Sequence, residues 1–199
     1  SFGVLDKGDN LEDHLRWNVI ATYNLCKQAY EVGVNKFVIL GSCFEYGRAG
    51  ERFEFIPTTA SLEPSTNYAT SKAAASVLLY GWAAKNDIHM NILRIFQVYG
   101  EGEGASRLWP SLRSAALSGR DFKMTKGEQI RDFIIVDDVV SDIMASLSFN
   151  EDITLSPTIT NIGSGEPSSV YQFCSYWWKE WGAKGTLISG AMPYREGEV

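Results

Sequence analysis

Two short, nearly unbroken apolar runs constrain this chain most: "NKFVILGS" at 35–42 and "HMNILRIFQVYG" at 89–100. Runs of this length with no polar alternation belong to strands covered on both faces, the situation in a parallel sheet flanked by helices. Each follows a segment of helical period. "LEDHLRWNVIATYNLCKQAYEVG" opens after the capping candidates Asp9 and Asn10 and stops at Gly33, and a second helix is expected from about Asn67 to Lys85. Further on the pattern predicts a helix near Trp109–Leu117, a strand in "RDFIIV", a helix from about Asp137 to Leu147, a strand in "TITNIG" and a last helix over about Val170–Trp181. Alternation of this kind predicts an α/β protein with right-handed parallel crossovers.

Composition bounds the function. With 45% hydrophobic and 21% charged residues, 199 residues suffice for one substantial core with a small appended lobe. A net charge of -6 leaves no broad basic face for a nucleic-acid backbone. No apolar run approaches the roughly 18 residues of a membrane span, and the start resembles no signal peptide, so a soluble cytoplasmic protein is expected. Cys26, Cys43 and Cys174 lack a paired spacing, and His14 and His89 are too few for a metal centre or a histidine triad. Both histidines read as surface or satisfied core groups.

Open α/β sheets place chemistry at the carboxyl ends of their strands. "LGSCFEYG" puts Ser42 there, and "NYATSK" begins the next helix with Tyr68 and, one turn on, Lys72. A free tyrosine, with a pKa of about 10, is a poor base at neutral pH; lowering it by three units takes about 4 kcal/mol, which a nearby ammonium and an oriented hydroxyl can supply. The implied chemistry is proton exchange at a carbinol or carbonyl coupled to hydride transfer. The same spacing recurs at Tyr23 and Lys27, but in mid-helix before the strand, where it reads as an ordinary surface i,i+4 pair.

Together these stretches resemble the extended short-chain dehydrogenases/reductases of the NAD-dependent epimerase/dehydratase type. "NVIATYN", "VILGSCFEYG", "NYATSK", "LRIFQVYG", "RDFIIVDDV", "NIGSGE" and "YREGE" follow in that family's order over nearly the whole chain. The resemblance implies a partial Rossmann-like, doubly wound parallel sheet at 1–97 and 136–163, and a small nucleotide-sugar-binding lobe at 98–135 and 164–199. It implies Tyr68 as acid/base, Lys72 as its modulator and ribose ligand, Ser42 as the group polarising the reacting oxygen, and Asn18 and Phe96 near NAD or NADP. It also implies Gln97, Arg107, Leu108, Lys123, Met124, Arg131, Arg195 and Glu198 around a nucleotide-diphosphate sugar, with the two arginines on the diphosphate and Glu198 on ribose hydroxyls. Arg131 also reads as a structural ion-pair partner of Asp132 or Asp137. Homodimers are implied through the helices around 11–31 and 67–85, where Ala75, Leu78, Leu79 and Trp82 offer apolar surface to the sheet or to a partner.

Departures from the family pattern refine this. Gln97 stands where asparagine is usual, and Cys43 and Phe44 stand where dehydratases carry Asp-Glu. A 4,6-dehydratase is therefore disfavoured against an epimerase or a ketoreductase of the abequose or paratose type. The glycine-rich dinucleotide turn is missing, which predicts that the family's first three strands precede Ser1 and that the family's end lies beyond Val199. On that reading the strand of "KFVIL" is an uncovered edge, or one capped by residues 1–9 or by a neighbouring chain. The alternative is a non-catalytic fragment that binds a nucleotide sugar weakly or serves in assembly.

Overall fold

The computed structural model describes residues 10–148 and 157–194. In chain order the elements are α1 (Leu11–His14), a π-helical segment (Leu15–Ile20), α2 (Ala21–Glu31), β1 (Lys36–Ser42), 3-10 turns at Cys43–Tyr46 and Arg48–Arg52, α3 (Asn67–Lys85), β2 (His89–Ile95) and β3 (Gln97–Tyr99). There follow α4 (Leu108–Leu117), β4 (Phe122–Lys123), β5 (Ile130–Ile135), α5 (Val136–Ser146), β6 (Thr158–Ile162), β7 (Pro167–Ser169), α6 (Val170–Glu180) and β8 (Leu187–Ile188). The described residues form two units, one ending at Phe96 and resuming over Val140–Ile162, the other comprising Gln97–Val139 and the residues from Gly163. No helix among the described residues is long and apolar enough to cross a membrane.

The first unit is a partial Rossmann-like sheet. Asn10 caps α1 by accepting the Glu12 N–H at 2.8 Å, and Glu12 and Asp13 add negative charge to that first turn. α2 ends in a Schellman arrangement, with Val34 N–H on Ala29 O at 3.0 Å, Gly33 N–H on Tyr30 O at 2.9 Å and Gly33 at φ 99°. β1 runs parallel to β2 from Lys36↔His89 to Ser42↔Ile95, and β2 runs parallel to β6 from Asn91↔Thr158 to Ile95↔Ile162. The order β1-β2-β6 puts β2 at the centre, and Met90, Ile92 and Leu93 are accordingly buried. Cys26, Leu79, Ala83 and Ile88 pack against them, and the Trp82 ring receives the edges of Tyr23, Tyr30 and Phe37.

Two expectations change here. The first apolar run is only partly covered on its faces, with Leu40 45% exposed although Phe37 and Ile39 pack on the core. Among the described residues β1 has β2 as its one strand neighbour; the expected cap by residues 1–9 falls outside the described residues. The second run is two strands rather than one. β2 stops at Ile95, Phe96 N–H donates to Ile162 O, and Gln97 starts a strand of a different sheet.

The second unit holds the sheet β3-β5-β7, with β3 and β5 parallel and β5 and β7 antiparallel, and the two-stranded β4-β8. Its core is aromatic: Trp109, Leu112, Met124, Phe173 and Cys174 are buried together, Phe133 stacks on Phe173 at 3.9 Å, and Trp177 stacks on Trp181 at 5.1 Å. Strands as short as β4, β7 and β8 carry no readable period, so the sequence pattern gave no sign of them.

Candidate active site

Where β1 ends, Ser42 is extended (φ -152°, ψ 142°) and caps the 3-10 turn that follows. Its Oγ accepts the Phe44 N–H at 3.3 Å, and the Glu45 carboxylate reaches back to the Ser42 N–H at 2.9 Å, a reciprocal cap. A hydroxyl that accepts one such bond keeps its proton for donation. Glu45 is completely buried, and its second oxygen takes the Nε–H of Arg94 on β2 at 2.9 Å. The Arg94 guanidinium also donates to Thr58 O at 3.2 Å and lies over the Tyr46 ring at 4.6 Å. Tyr46 donates in turn to Asn161 Oδ1 at 2.6 Å. Buried charges persist only when paired and hydrogen-bonded, and both conditions hold here.

Thr66 caps α3 by accepting the Ala69 N–H, which sets Tyr68 in the first turn. The Tyr68 ring meets the edges of Phe44 at 6.4 Å and of buried His14 at 6.2 Å. One turn later the Lys72 ammonium donates to Leu40 O on β1 at 2.6 Å, two residues before Ser42. Burial holds the Lys72 amine below the usual lysine range, and the negative charge of Glu45 partly opposes that shift. Asn18, in the π-helical segment, donates to Ser71 Oγ at 2.9 Å, and Ser71 donates to Tyr68 O at 2.8 Å. Such wide turns recur at functional sites, and this one braces the turn that carries Tyr68. The fold thus brings Ser42, Tyr68, Lys72 and Asn18 to the carboxyl end of β1. Tyr23 and Lys27 lie elsewhere: Tyr23 packs edge-on to Trp82 at 5.8 Å, and Lys27 pairs with Glu31 at 3.7 Å.

The sequence reading missed Glu45, Arg94 and His14 as parts of this surrounding. One signal for the pair was available, since an arginine inside an apolar strand, as in "LRIF", must find a buried partner.

Of the residues implied to meet cofactor or sugar nucleotide, Phe96 closes the first unit and is half-buried. The described residues implied around the sugar nucleotide lie in the second unit. Gln97 pairs with Phe133 in register, and Arg107 holds Glu103 at 3.2 Å at the start of α4. Lys123 is exposed on β4, whereas the side chains of Leu108 and Met124 belong to the aromatic core, with Met124 only 5% exposed. Leu108 is half-buried and Met124 almost fully buried. Arg131 donates to Ile130 O at 2.8 Å. The neighbouring Asp132 carboxylate accepts Ser164 N–H and O–H, both at 2.7 Å, and Gly165 N–H at 2.9 Å. Arg195 and Glu198 lie outside the described residues. A cleft of about 480 Å³ lined by Glu101, Glu103, Trp109 and Arg113, among others, contains none of the residues singled out from the sequence.

The model of the NAD dependent epimerase/dehydratase family matches residues 2–163. A dTDP-L-rhamnose 4-epimerase of Burkholderia thailandensis is 29% identical over 143 residues, covering 68% of this chain and 38% of that protein. A CDP-abequose synthase of Salmonella typhimurium is 31% identical over 121 residues, covering 59% and 40%. dTDP-D-glucose 4,6-dehydratases are also among the curated matches. The solved structure of MoeE5 in complex with UDP-glucose and NAD superposes with a TM-score of 0.74 at 30% identity, covering 89% of this chain and 58% of that one. The chain therefore spans about two-fifths of the length of these curated relatives.

Proposed function

Because the chain belongs to the NAD-dependent epimerase/dehydratase family, we propose that its protein is an NAD(P)-dependent nucleotide-sugar epimerase or 4-ketoreductase of the kind that makes deoxysugars. The observation that carries this reading is the convergence of Ser42, Tyr68 and Lys72 on the end of one parallel strand. Tyr68 exchanges the proton of the sugar hydroxyl or carbonyl, Ser42 donates a hydrogen bond to the same oxygen, and Lys72 favours the phenolate by its charge. Tyr68 and Lys72, with Asn18 and Phe96 nearby in the chain's family pattern, would hold the nicotinamide-ribose end of NAD(P). An ammonium at the open edge of β1 fits ribose hydroxyls, whereas the sequence offers no glycine-rich turn for the pyrophosphate. When bound, the cofactor supplies the hydride acceptor or donor. Turnover of UDP-, dTDP- or CDP-hexoses with NAD(P) tests the reading; cofactor binding without conversion of any of them overturns it.

A dehydratase reading fares worse for a structural reason. Cys43 and Phe44 stand where dehydratases of the family pattern carry an Asp-Glu pair, so that carboxylate pair is missing. The next residue, Glu45, is a carboxylate, but both of its oxygens are engaged away from solvent.

The substrate is assigned to the nucleotide-diphosphate sugars, with Arg131 and Arg195 on the diphosphate and Gln97, Arg107, Leu108, Lys123, Met124 and Glu198 around the rest. Arg131→Ala is expected to raise the apparent KM for the nucleotide sugar, by about 1.5 to 3 kcal/mol on the scale of a charge-assisted hydrogen bond, with kcat retained. An unchanged KM removes Arg131 from the site.

The partner we propose is a second copy. Ala75 and Leu79 are buried and Trp82 is packed in the core, so of the four α3 residues singled out earlier only Leu78 is exposed. Val77, Tyr80, Trp17, Ile20 and Leu25 are exposed too, which leaves apolar surface on both helices for a two-fold contact. A single-chain mass by light scattering at tens of micromolar removes the dimer.

A further inference from the structure

We infer that Glu45 is a positioning residue of this site, with Arg94 as its anchor and the Ser42 main chain as the part it holds. The inference rests on the proposed role of Ser42 and adds what fixes that serine in place. At the end of an edge strand, the Ser42 N–H is taken by Glu45 Oε1 at 2.9 Å rather than by a neighbouring strand. The other oxygen is held by Arg94 Nε at 2.9 Å, and Arg94 is itself fixed by Thr58 O and by the face of Tyr46. Tyr46 is tied to Asn161 on β6, and Asn161 donates to Ile56 O at 2.7 Å. One carboxylate is thus immobilised by side chains from the turn, β2 and β6, and its free arm ends on the backbone of Ser42.

The cradle is shaped for that carboxylate. A Cβ on Gly41 would lie 2.7 Å from Glu45 Oε1 and 3.2 Å from Leu93 O, so the absence of a side chain there admits the carboxylate beneath the strand end. An ion pair with both partners almost fully buried is a poor source of stability, because desolvating the charges offsets their attraction, and its best-attested use is to fix one arrangement among several. Here the arrangement fixed is the strand-to-turn corner. With Phe44 N–H on Ser42 Oγ, the remaining freedom of that hydroxyl is the direction of its proton. Groups that must meet a reacting oxygen need placement within about 0.5 Å, which a solvated strand end does not provide.

The test is made by NMR on the 199-residue chain with two double variants that leave no charge orphaned in the core. E45A/R94M removes the acceptor for the Ser42 N–H, whereas E45Q/R94M keeps an amide carbonyl in its place. Ser42 amide exchange is read against Ile92 and Leu93 on the central strand, and the Ser42 side-chain rotamer is read from three-bond couplings. E45A/R94M is expected to accelerate Ser42 exchange at least about tenfold, the scale of one net hydrogen bond, and to average the rotamer. E45Q/R94M is expected to restore both. Gly41→Ala, which leaves both charges in place and crowds the carboxylate, is expected to act like E45A/R94M. Unchanged Ser42 exchange and rotamer in E45A/R94M and Gly41→Ala, or an equal loss in both double variants, overturns the inference. Neither readout needs substrate, cofactor or turnover, so it stands or falls separately from the catalytic reading of Tyr68.

Discussion

Tyr68→Phe is expected to lower turnover of the nucleotide sugar by about 10²- to 10⁴-fold, the usual contribution of a positioned acid/base, with its KM nearly unchanged. The substitution removes one oxygen and keeps the ring that packs between Phe44 and His14. Stability should therefore move by no more than about 1 kcal/mol, the net worth of a hydrogen bond. Turnover should be followed both in the 199-residue chain and in a form extended to the length of its relatives, with NAD and with NADP. The matching change at Tyr23, whose ring packs on Trp82 in the helical core, should leave turnover intact. Equal activity of Tyr68→Phe and the unaltered protein would remove the proton-transfer mechanism.

Glu45→Gln alone is expected to cost about 3 to 5 kcal/mol of stability in the first unit, because it leaves the Arg94 guanidinium, 3% exposed, without its counter-charge. Against the roughly 5 to 15 kcal/mol that holds a domain folded, that loss is large enough to populate unfolded chain at ambient temperature. Pairing the change with Arg94→Met should recover most of it, since removing both charges abolishes the desolvation cost along with the attraction. Urea denaturation followed by amide signals of β2 isolates the first unit from the aromatic core of the second. A loss below about 1 kcal/mol for Glu45→Gln would mean that water reaches the pair.

The local pattern of the sequence was enough for α3, whose ends fall at Asn67 and Lys85 as expected, and for the cap at Asn10 and the stop at Gly33. It also placed Ser42 at a strand end and put Tyr68 and Lys72 on one helix face, because the first follows from where a short apolar run stops and the second from the 3.6-residue period. Choosing Tyr68 over Tyr23 needed only the order of elements and the rule that chemistry gathers at carboxyl ends of strands. What depended on distant contacts was not legible. "HMNILRIFQVYG" is uniformly apolar, and only pairing with two different sheets breaks it after Ile95. The packing of Leu108 and Met124 against Trp109, Phe173 and Cys174 likewise joins residues far apart along the chain. The Glu45–Arg94 pair spans 49 residues, and a buried charge identifies its partner only when the sheet register brings Gly41 and Arg94 side by side. Local spacing determined which residues share a strand end and a helix face; the tertiary structure decided which charges are buried behind them, because desolvation and pairing depend on neighbours far apart along the chain.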